Sequence, residues 1–170
     1  MFLYHLYGNK YESLIKMKKV KEQGLHPKLT SMYLGTGGGG DFYPDIMERV
    51  RLRSPGAEWI NFDVGIVVTL SPYDFKNYLR FPIFTNKIMV FDRDITTKLF
   101  SYIEDEYVID ESGIAGTMIE PGTPSKEELV KQYWGSGVTL ENYMKNKPFS
   151  NTEIMVFERV PKNQLTLISE

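Results

Sequence analysis

Short apolar runs rich in β-branched and aromatic residues stand at both ends of the chain, and this feature most limits the folds open to it. Residues 2–6 are predicted to form a strand at the start, and residues 154–157 and 165–168 are predicted as strands near the end. Two further runs, 65–70 and 87–91, predict strands in the middle. Helical patterns lie between these runs, and neither a repeat nor a linker interrupts the 170 residues. The sequence therefore predicts one mixed α/β domain over its whole length.

Composition and charge narrow the class of function. Hydrophobic residues make up 42% of the chain and charged residues 25%, which is typical of a globular domain. The net charge of −2 gives no global basic field that would draw the chain to nucleic acid. The absence of cysteine excludes disulfides, thiolate metal sites and a cysteine nucleophile, and it favours a reducing compartment. Because the start lacks signal-peptide character and no run approaches about 18 apolar residues, we expect a cytoplasmic protein with no membrane partner.

Three segments carry helix signals. Residues 9–24 begin with an Asn cap and a Glu three positions later, and they end in glycine. Residues 71–80 open with Ser-Pro, which predicts a cap and a first helical position. Residues 125–134 begin with Ser-Lys-Glu-Glu, a capping box. We therefore predict a helix in each segment.

Two motifs with a chemical meaning do not fit their structural context. Gly35, Gly37 and Gly40 match the dinucleotide pattern G-x-G-x-x-G, but the next residues do not lead straight into a helix of a parallel βαβ unit. His5 and His26 are far apart and lack the spacing of a metal-binding pair. We expect neither a Rossmann site nor a bound metal.

Three separated pieces of the sequence have a recognisable order. The first is residues 3–5, Leu-Tyr-His, followed by a helix that ends in Gly-Leu at 24–25. The second is 65–67, Gly-Ile-Val, followed by Asn-Tyr at 77–78. The third is 151–157, where a Glu begins a terminal apolar strand. In this order the pieces resemble the ADP-ribosyltransferase superfamily, in particular its diphtheria-toxin-like branch, which includes the poly(ADP-ribose) polymerases.

The resemblance implies that NAD is consumed as a substrate and that ADP-ribose passes to a macromolecular acceptor, protein or nucleic acid, with release of nicotinamide. By the same resemblance Glu153 is the catalytic carboxylate, because a fixed carboxylate stabilises a ribose that becomes oxocarbenium-like. His5 would support the adenosine-side ribose, and Tyr78 would stack on the cationic nicotinamide ring.

Other positions of the implied NAD site depart from the family. By the resemblance, the main chain at Leu6, beside His5, would contact the carboxamide of NAD. Gly65 would belong to the same site. The family has a glycine at the position where this chain has Leu6. Val67 replaces the second tyrosine of the polymerases, so we expect Tyr73 to complete the nicotinamide sandwich. Asn151 stands where arginine-modifying members carry Gln or Glu.

Three alternating arginines form a further candidate. On an extended chain Arg49, Arg51 and Arg53 share one face. Guanidinium groups in this arrangement can clamp a diphosphate or nucleic-acid phosphates. A solvated edge is the alternative interpretation of the same pattern.

The resemblance implies an α+β fold, a split and mostly antiparallel sheet with flanking helices around a central cleft. Two other functions stay open. An RNA 2′-phosphotransferase on the same fold also consumes NAD, but it needs several basic cleft residues. A non-catalytic interaction domain, such as a phage or toxin–antitoxin accessory protein, would use the aromatic-rich surface to bind another protein.

Overall fold

A computed structural model describes residues 1–6, 12–26, 58–60, 65–72, 77–95, 97–98, 108–109, 115–116 and 119–169. The strands are β1 (Phe2–Leu6), β2 (Ile66–Val68), β3 (Asn77–Pro82), β4 (Ile88–Asp92), β5 (Val108–Ile109), β6 (Ala115–Gly116), β7 (Val138–Thr139), β8 (Thr152–Val156) and β9 (Thr166–Ser169). The helices are α1 (Glu12–Gln23), α2 (Lys126–Ser136) and α3 (Leu140–Asn146), with a 3₁₀ turn at Lys162–Gln164.

The strands form two antiparallel sheets and a small hairpin. The first sheet has the order β1-β3-β9, the second has the order β2-β8-β4-β7, and β5 pairs with β6. Every strand pair in the described part of the chain is antiparallel. The α+β class and the antiparallel sheets are therefore confirmed.

One pair of residues connects the two sheets. Tyr4 of β1 and Thr69, directly after β2, exchange backbone hydrogen bonds of 3.0 and 2.8 Å. Strands from the start, the middle and the end of the chain thereby lie side by side, in the order β3-β1-β2-β8.

Helices cover the sheets on opposite faces. Met17 and Val20 of α1 pack with the inner side chains of the first sheet, such as Leu3 and Phe81, in one buried cluster. The α2 helix packs on the other face of the second sheet, where its Trp134 belongs to a separate buried cluster. This division gives the second sheet a buried environment on both faces.

The opposite face of the first sheet is aromatic and partly exposed. Strand alternation places Phe2, Tyr4, Tyr78 and Arg80 together there. Phe2 is 43% exposed and the other three are half-buried. We call these four residues the outer aromatic face.

The C-terminal end of α1 is fixed against the C-terminal part of the chain. Gly24 adopts a left-handed conformation with φ of 85°, and its N–H donates to Val20 at 2.8 Å. Leu25 and Val160 then exchange backbone hydrogen bonds of 2.9 and 3.0 Å. Only glycine adopts this φ without a Cβ penalty, so the predicted glycine stop is confirmed.

The helix predicted over residues 71–80 is wrong in its second half. Residues 77–82 form β3, which pairs with β1 on one side and β9 on the other. Leu79 and Phe81 are buried while their neighbours are not, a period of two that belongs to a strand. The hydrogen bonds of two neighbouring strands outweigh the local Ser-Pro signal. The other two predicted helices are confirmed as α1 and α2.

Candidate functional site

Two polar side chains are buried in the described core. Apart from tyrosine and tryptophan, His5 and Glu153 are the buried polar or charged residues there, with exposures of 3% and 4%. Burying such groups costs free energy unless they are satisfied. Both residues are predicted from the sequence to belong to the catalytic site.

The His5 imidazole lies between the two sheets. Its Nδ1 atom is 2.8 Å from the carbonyl oxygen of Val67 on β2. In an antiparallel sheet the backbone groups of Val67 and Thr69 point to the same neighbouring strand, which is β1. If the pairing of β1 with β2 continued beyond Tyr4 and Thr69, a backbone N–H of β1 would donate to the Val67 carbonyl. The ring takes that role, and β1 and β2 separate directly after the Tyr4–Thr69 pair.

The hydrogen bond fixes the chemistry of the ring. A carbonyl only accepts, so Nδ1 carries the proton and Nε2 of the neutral ring is an acceptor. Burial lowers the pKa of His5, and the hydrogen bond to Val67 only partly offsets this. Within the described residues, the buried Nε2 atom has no hydrogen-bond partner. In the neutral ring this atom can accept a hydrogen bond.

Glu153 is the second residue of β8, which lies on the opposite side of β2 from β1. It lies directly across from Phe91 of β4. The register of β2 with β8 runs from Ile66–Val156 to Val68–Ile154, and one further step places Thr69 opposite Glu153. Thr69 thus has Tyr4 on one side and Glu153 on the other.

An aromatic wall stands beside the carboxylate. Phe91 stacks on Tyr133 of α2, with ring centroids 4.6 Å apart and planes 14° apart, and Trp134 meets both rings edge-on. Burial raises the pKa of Tyr133 well above its ordinary value, and the charge of Glu153 raises it further. The register gives the same arrangement, because Glu153 is directly opposite Phe91, which stacks on Tyr133.

The segment that leads into Glu153 is held by polar contacts. The Asn151 amide donates to the Asp94 carboxylate at 2.6 Å. The Arg93 N–H donates to the Asn151 carbonyl at 3.2 Å. These bonds fix the start of β8 against the end of β4, and with it the position from which Glu153 projects.

His5 and Glu153 approach β2 from its two sides. Glu153 has the strand parity of Met155, which packs under α2, whereas His5 has the parity of Leu3 in the other cluster. The carboxylate therefore leaves the sheet on the α2 face, and the imidazole fills the gap between β1 and β2. Together they border the end of β2 at residues 67–69.

The remaining predicted site residues are more widely spread. Leu6 pairs with Tyr78, and half-buried Gly65 precedes β2. Tyr78, expected on a helix, lies on β3, where its ring meets Tyr4 edge-on at 5.5 Å. Strand order separates Tyr78 from Glu153 by β1 and β2. Tyr73, Arg49, Arg51 and Arg53 lie outside the described residues.

Sequence reasoning missed three residues that shape the site: Thr69, Phe91 and Tyr133. Thr69 is the bridge between the sheets, and the other two form the wall beside Glu153. Phe91 ends a predicted strand and Tyr133 lies in a predicted helix, but no local signal places either one next to Glu153. Only the register and the docking of α2 do so.

Comparison with known proteins adds no relative: no protein-family model, no curated protein and no solved structure matches the chain. Among the helices in the described ranges, none is long and apolar enough to cross a membrane.

Proposed function

We propose that the protein transfers ADP-ribose from NAD to a macromolecular acceptor and releases nicotinamide. The observation that carries the proposal is the placement of Glu153 and His5. They come from distant parts of the chain, they are the buried polar side chains of the described core, and they flank the same short strand, with Glu153 towards the α2 face and His5 towards the other face. Polar groups are costly to bury, so two of them beside one strand favour a functional site over simple packing.

Each residue has a chemical role in the proposed reaction. The bond between ribose C1′ and the nicotinamide nitrogen breaks, and its electron pair leaves with neutral nicotinamide. The Glu153 carboxylate stabilises the positive charge that develops on the ribose, in a buried environment where the interaction is stronger than in water. A nucleophilic atom of the acceptor then bonds to C1′ and releases its proton to solvent.

His5 is a positioning group in this proposal. Its Nε2 atom accepts a hydrogen bond from a ribose hydroxyl of NAD, because Nδ1 is already committed to Val67. The neutral ring is the form that offers this acceptor, and burial favours the neutral ring. The split sheet and central cleft of the transferase fold belong to the same proposal, and their support is the division of the strands into two sheets joined by the Tyr4–Thr69 bridge.

Nicotinamide release from NAD tests the proposal. We expect Glu153→Gln to reduce the rate at least about a hundredfold, since it removes the charge and keeps the shape. Glu141→Gln is the matched control, because Glu141 is an exposed carboxylate on α3. Thermal unfolding of both variants shows whether the fold is intact.

Two outcomes would reject the transferase. One is a Glu153→Gln variant that releases nicotinamide at the wild-type rate. The other is a wild-type protein that does not bind NAD in calorimetry at millimolar concentration, which would favour the non-catalytic interaction domain. Loss of a 2′-phosphate from an RNA acceptor, in place of its modification, would favour the phosphotransferase.

A further inference from the structure

The outer aromatic face combines one exposed and two half-buried rings with a cation. Phe2, Tyr4, Tyr78 and Arg80 lie on one side of the first sheet, and α1 packs on the other side. Among the described residues that β1, β3 and β9 direct to this face, none is a carboxylate. The face is therefore apolar, aromatic and locally positive, in a chain whose net charge is −2.

Arg80 is the charged member of the face. Its guanidinium carbon lies 4.7 Å from the centroid of the Phe2 ring, a cation–π contact. Its buried Nε atom has no hydrogen-bond partner within the described part of the chain. A guanidinium stacked on a ring still has donors in its plane, and phosphate oxygens match them in charge and geometry.

The rings leave π surface for a ligand. Tyr4 and Tyr78 meet edge-on, with planes 70° apart, so they do not cover each other by stacking. Phe2 is 43% exposed. Rings presented on an open antiparallel sheet are suited to unstacked bases, because every base has a π face.

The face continues towards the candidate catalytic carboxylate. Arg80 is directly opposite Tyr4, Tyr4 is opposite Thr69, and the register places Thr69 opposite Glu153. Opposed residues share one face of a sheet, and neighbouring strands lie about 4.8 Å apart. Arg80 and Glu153 are thus separated by three strand spacings, roughly 14 Å.

We infer that the outer aromatic face docks the acceptor and that the acceptor is a single-stranded nucleic acid. This inference rests on the proposed transferase function. Bases stack on the exposed rings, a phosphate pairs with Arg80, and the strand extends across Tyr4 and Thr69 to present a nucleophilic atom near Glu153. A protein segment would satisfy the rings, but it supplies no regular anion for the guanidinium.

Fluorescence anisotropy tests the binding. The probes are fluorescein-labelled 20-nucleotide DNA and RNA single strands of mixed sequence and a 20-base-pair DNA duplex. We expect the single strands to bind more tightly than the duplex. Phe2→Ala is expected to weaken binding about tenfold by removing a stacking ring, and Arg80→Gln is expected to lower the slope of log K against log salt by about 0.7.

Matched controls keep the test specific. Met144→Ala removes an exposed apolar side chain from α3, and Lys131→Gln removes an exposed positive charge from α2. Both should bind the single strands within about twofold of wild type. Thermal unfolding confirms that each variant is folded.

The failures of the two proposals are distinguishable. If wild type releases nicotinamide from NAD but binds no single strand, or if Phe2→Ala and Arg80→Gln bind as the controls do, the nucleic-acid acceptor is rejected and the transferase stands. If the single strands bind through Phe2 and Arg80 but NAD is not cleaved, the transferase is rejected and so is the role of the strand as acceptor. A protein substrate that receives ADP-ribose while nucleic acid does not also overturns the inference.

Discussion

The His5 imidazole donates from Nδ1 to the Val67 carbonyl at 2.8 Å, beside the Tyr4–Thr69 bridge that joins the two sheets. A side chain thus replaces a backbone group at the point where β1 and β2 separate. Because the ring is buried, this contact connects the protonation of one histidine to the joint between the sheets.

Stability should depend on pH through this ring. The pKa of His5 is lowered from its ordinary value of 6.5 by burial. Between that lowered value and 6.5 the unfolded chain binds a proton that the folded chain does not. The free energy of unfolding therefore falls as the pH decreases below 6.5, and this contribution is fully present only above 6.5.

The variant His5→Gln isolates the effect, because it keeps an N–H donor but does not titrate. We expect the wild-type melting temperature to fall more than that of the variant between about pH 7.5 and about pH 5. His26 is present in both proteins, so its contribution cancels. Parallel pH profiles in differential scanning calorimetry would contradict the prediction.

Gly24 should tolerate no side chain. A Cβ at this position would lie 2.3 Å from the Val160 carbonyl oxygen, and the φ of 85° is strained for any other residue. We expect Gly24→Ala to lower the free energy of unfolding by about 2 kcal/mol or more, measured by urea denaturation. Gly135→Ala is the control, because a Cβ there meets nothing within 4 Å. In a helix that change should stabilise by about 0.5–1 kcal/mol.

Gly137 connects helix packing to the candidate site. Its φ of −62° suits alanine, but a Cβ would come within 2.8 Å of the Phe91 ring. Since Phe91 stacks on Tyr133 beside Glu153, we expect Gly137→Ala to slow nicotinamide release roughly tenfold or more. It should also change the near-ultraviolet circular dichroism of Phe91, Tyr133 and Trp134. Gly135→Ala should leave both signals at wild-type values.

Local signals predicted much of the fold, because they are properties of short segments. The run at Phe2–Leu6, the glycine stop at Gly24 and the Ser125 cap each depend on a few adjacent residues, and each lies where it was predicted. The strand at 77–82 was missed although Arg80 separates the apolar residues Leu79 and Phe81. The Ser-Pro start signal and the family resemblance both favoured a helix, and the pairing of β3 with β1 and β9 is not visible in a local window.

The candidate site was predicted only in part. The order of His5 and Glu153 along the chain indicated that both ends contribute. The alignment of Tyr4, Thr69 and Glu153 depends on two separate strand registers, β1 with β2 and β2 with β8, and a shift of one residue would move a side chain to the other face. No pattern in a single sequence fixes those registers.

The hydrogen bonds between Leu25 and Val160 have a consequence for biosynthesis. The elements β1 and α1 emerge from the ribosome long before β8, β9 and the residues around Val160. These later segments complete the core cluster and the backbone pairing around β1 and α1. The apolar side of α1 therefore waits for these late partners, whereas β1 waits only until β2 and β3 have been synthesised. Such distant pairings fold slowly and leave a nascent chain open to aggregation, so we expect chaperone supply during expression to influence the yield of folded protein.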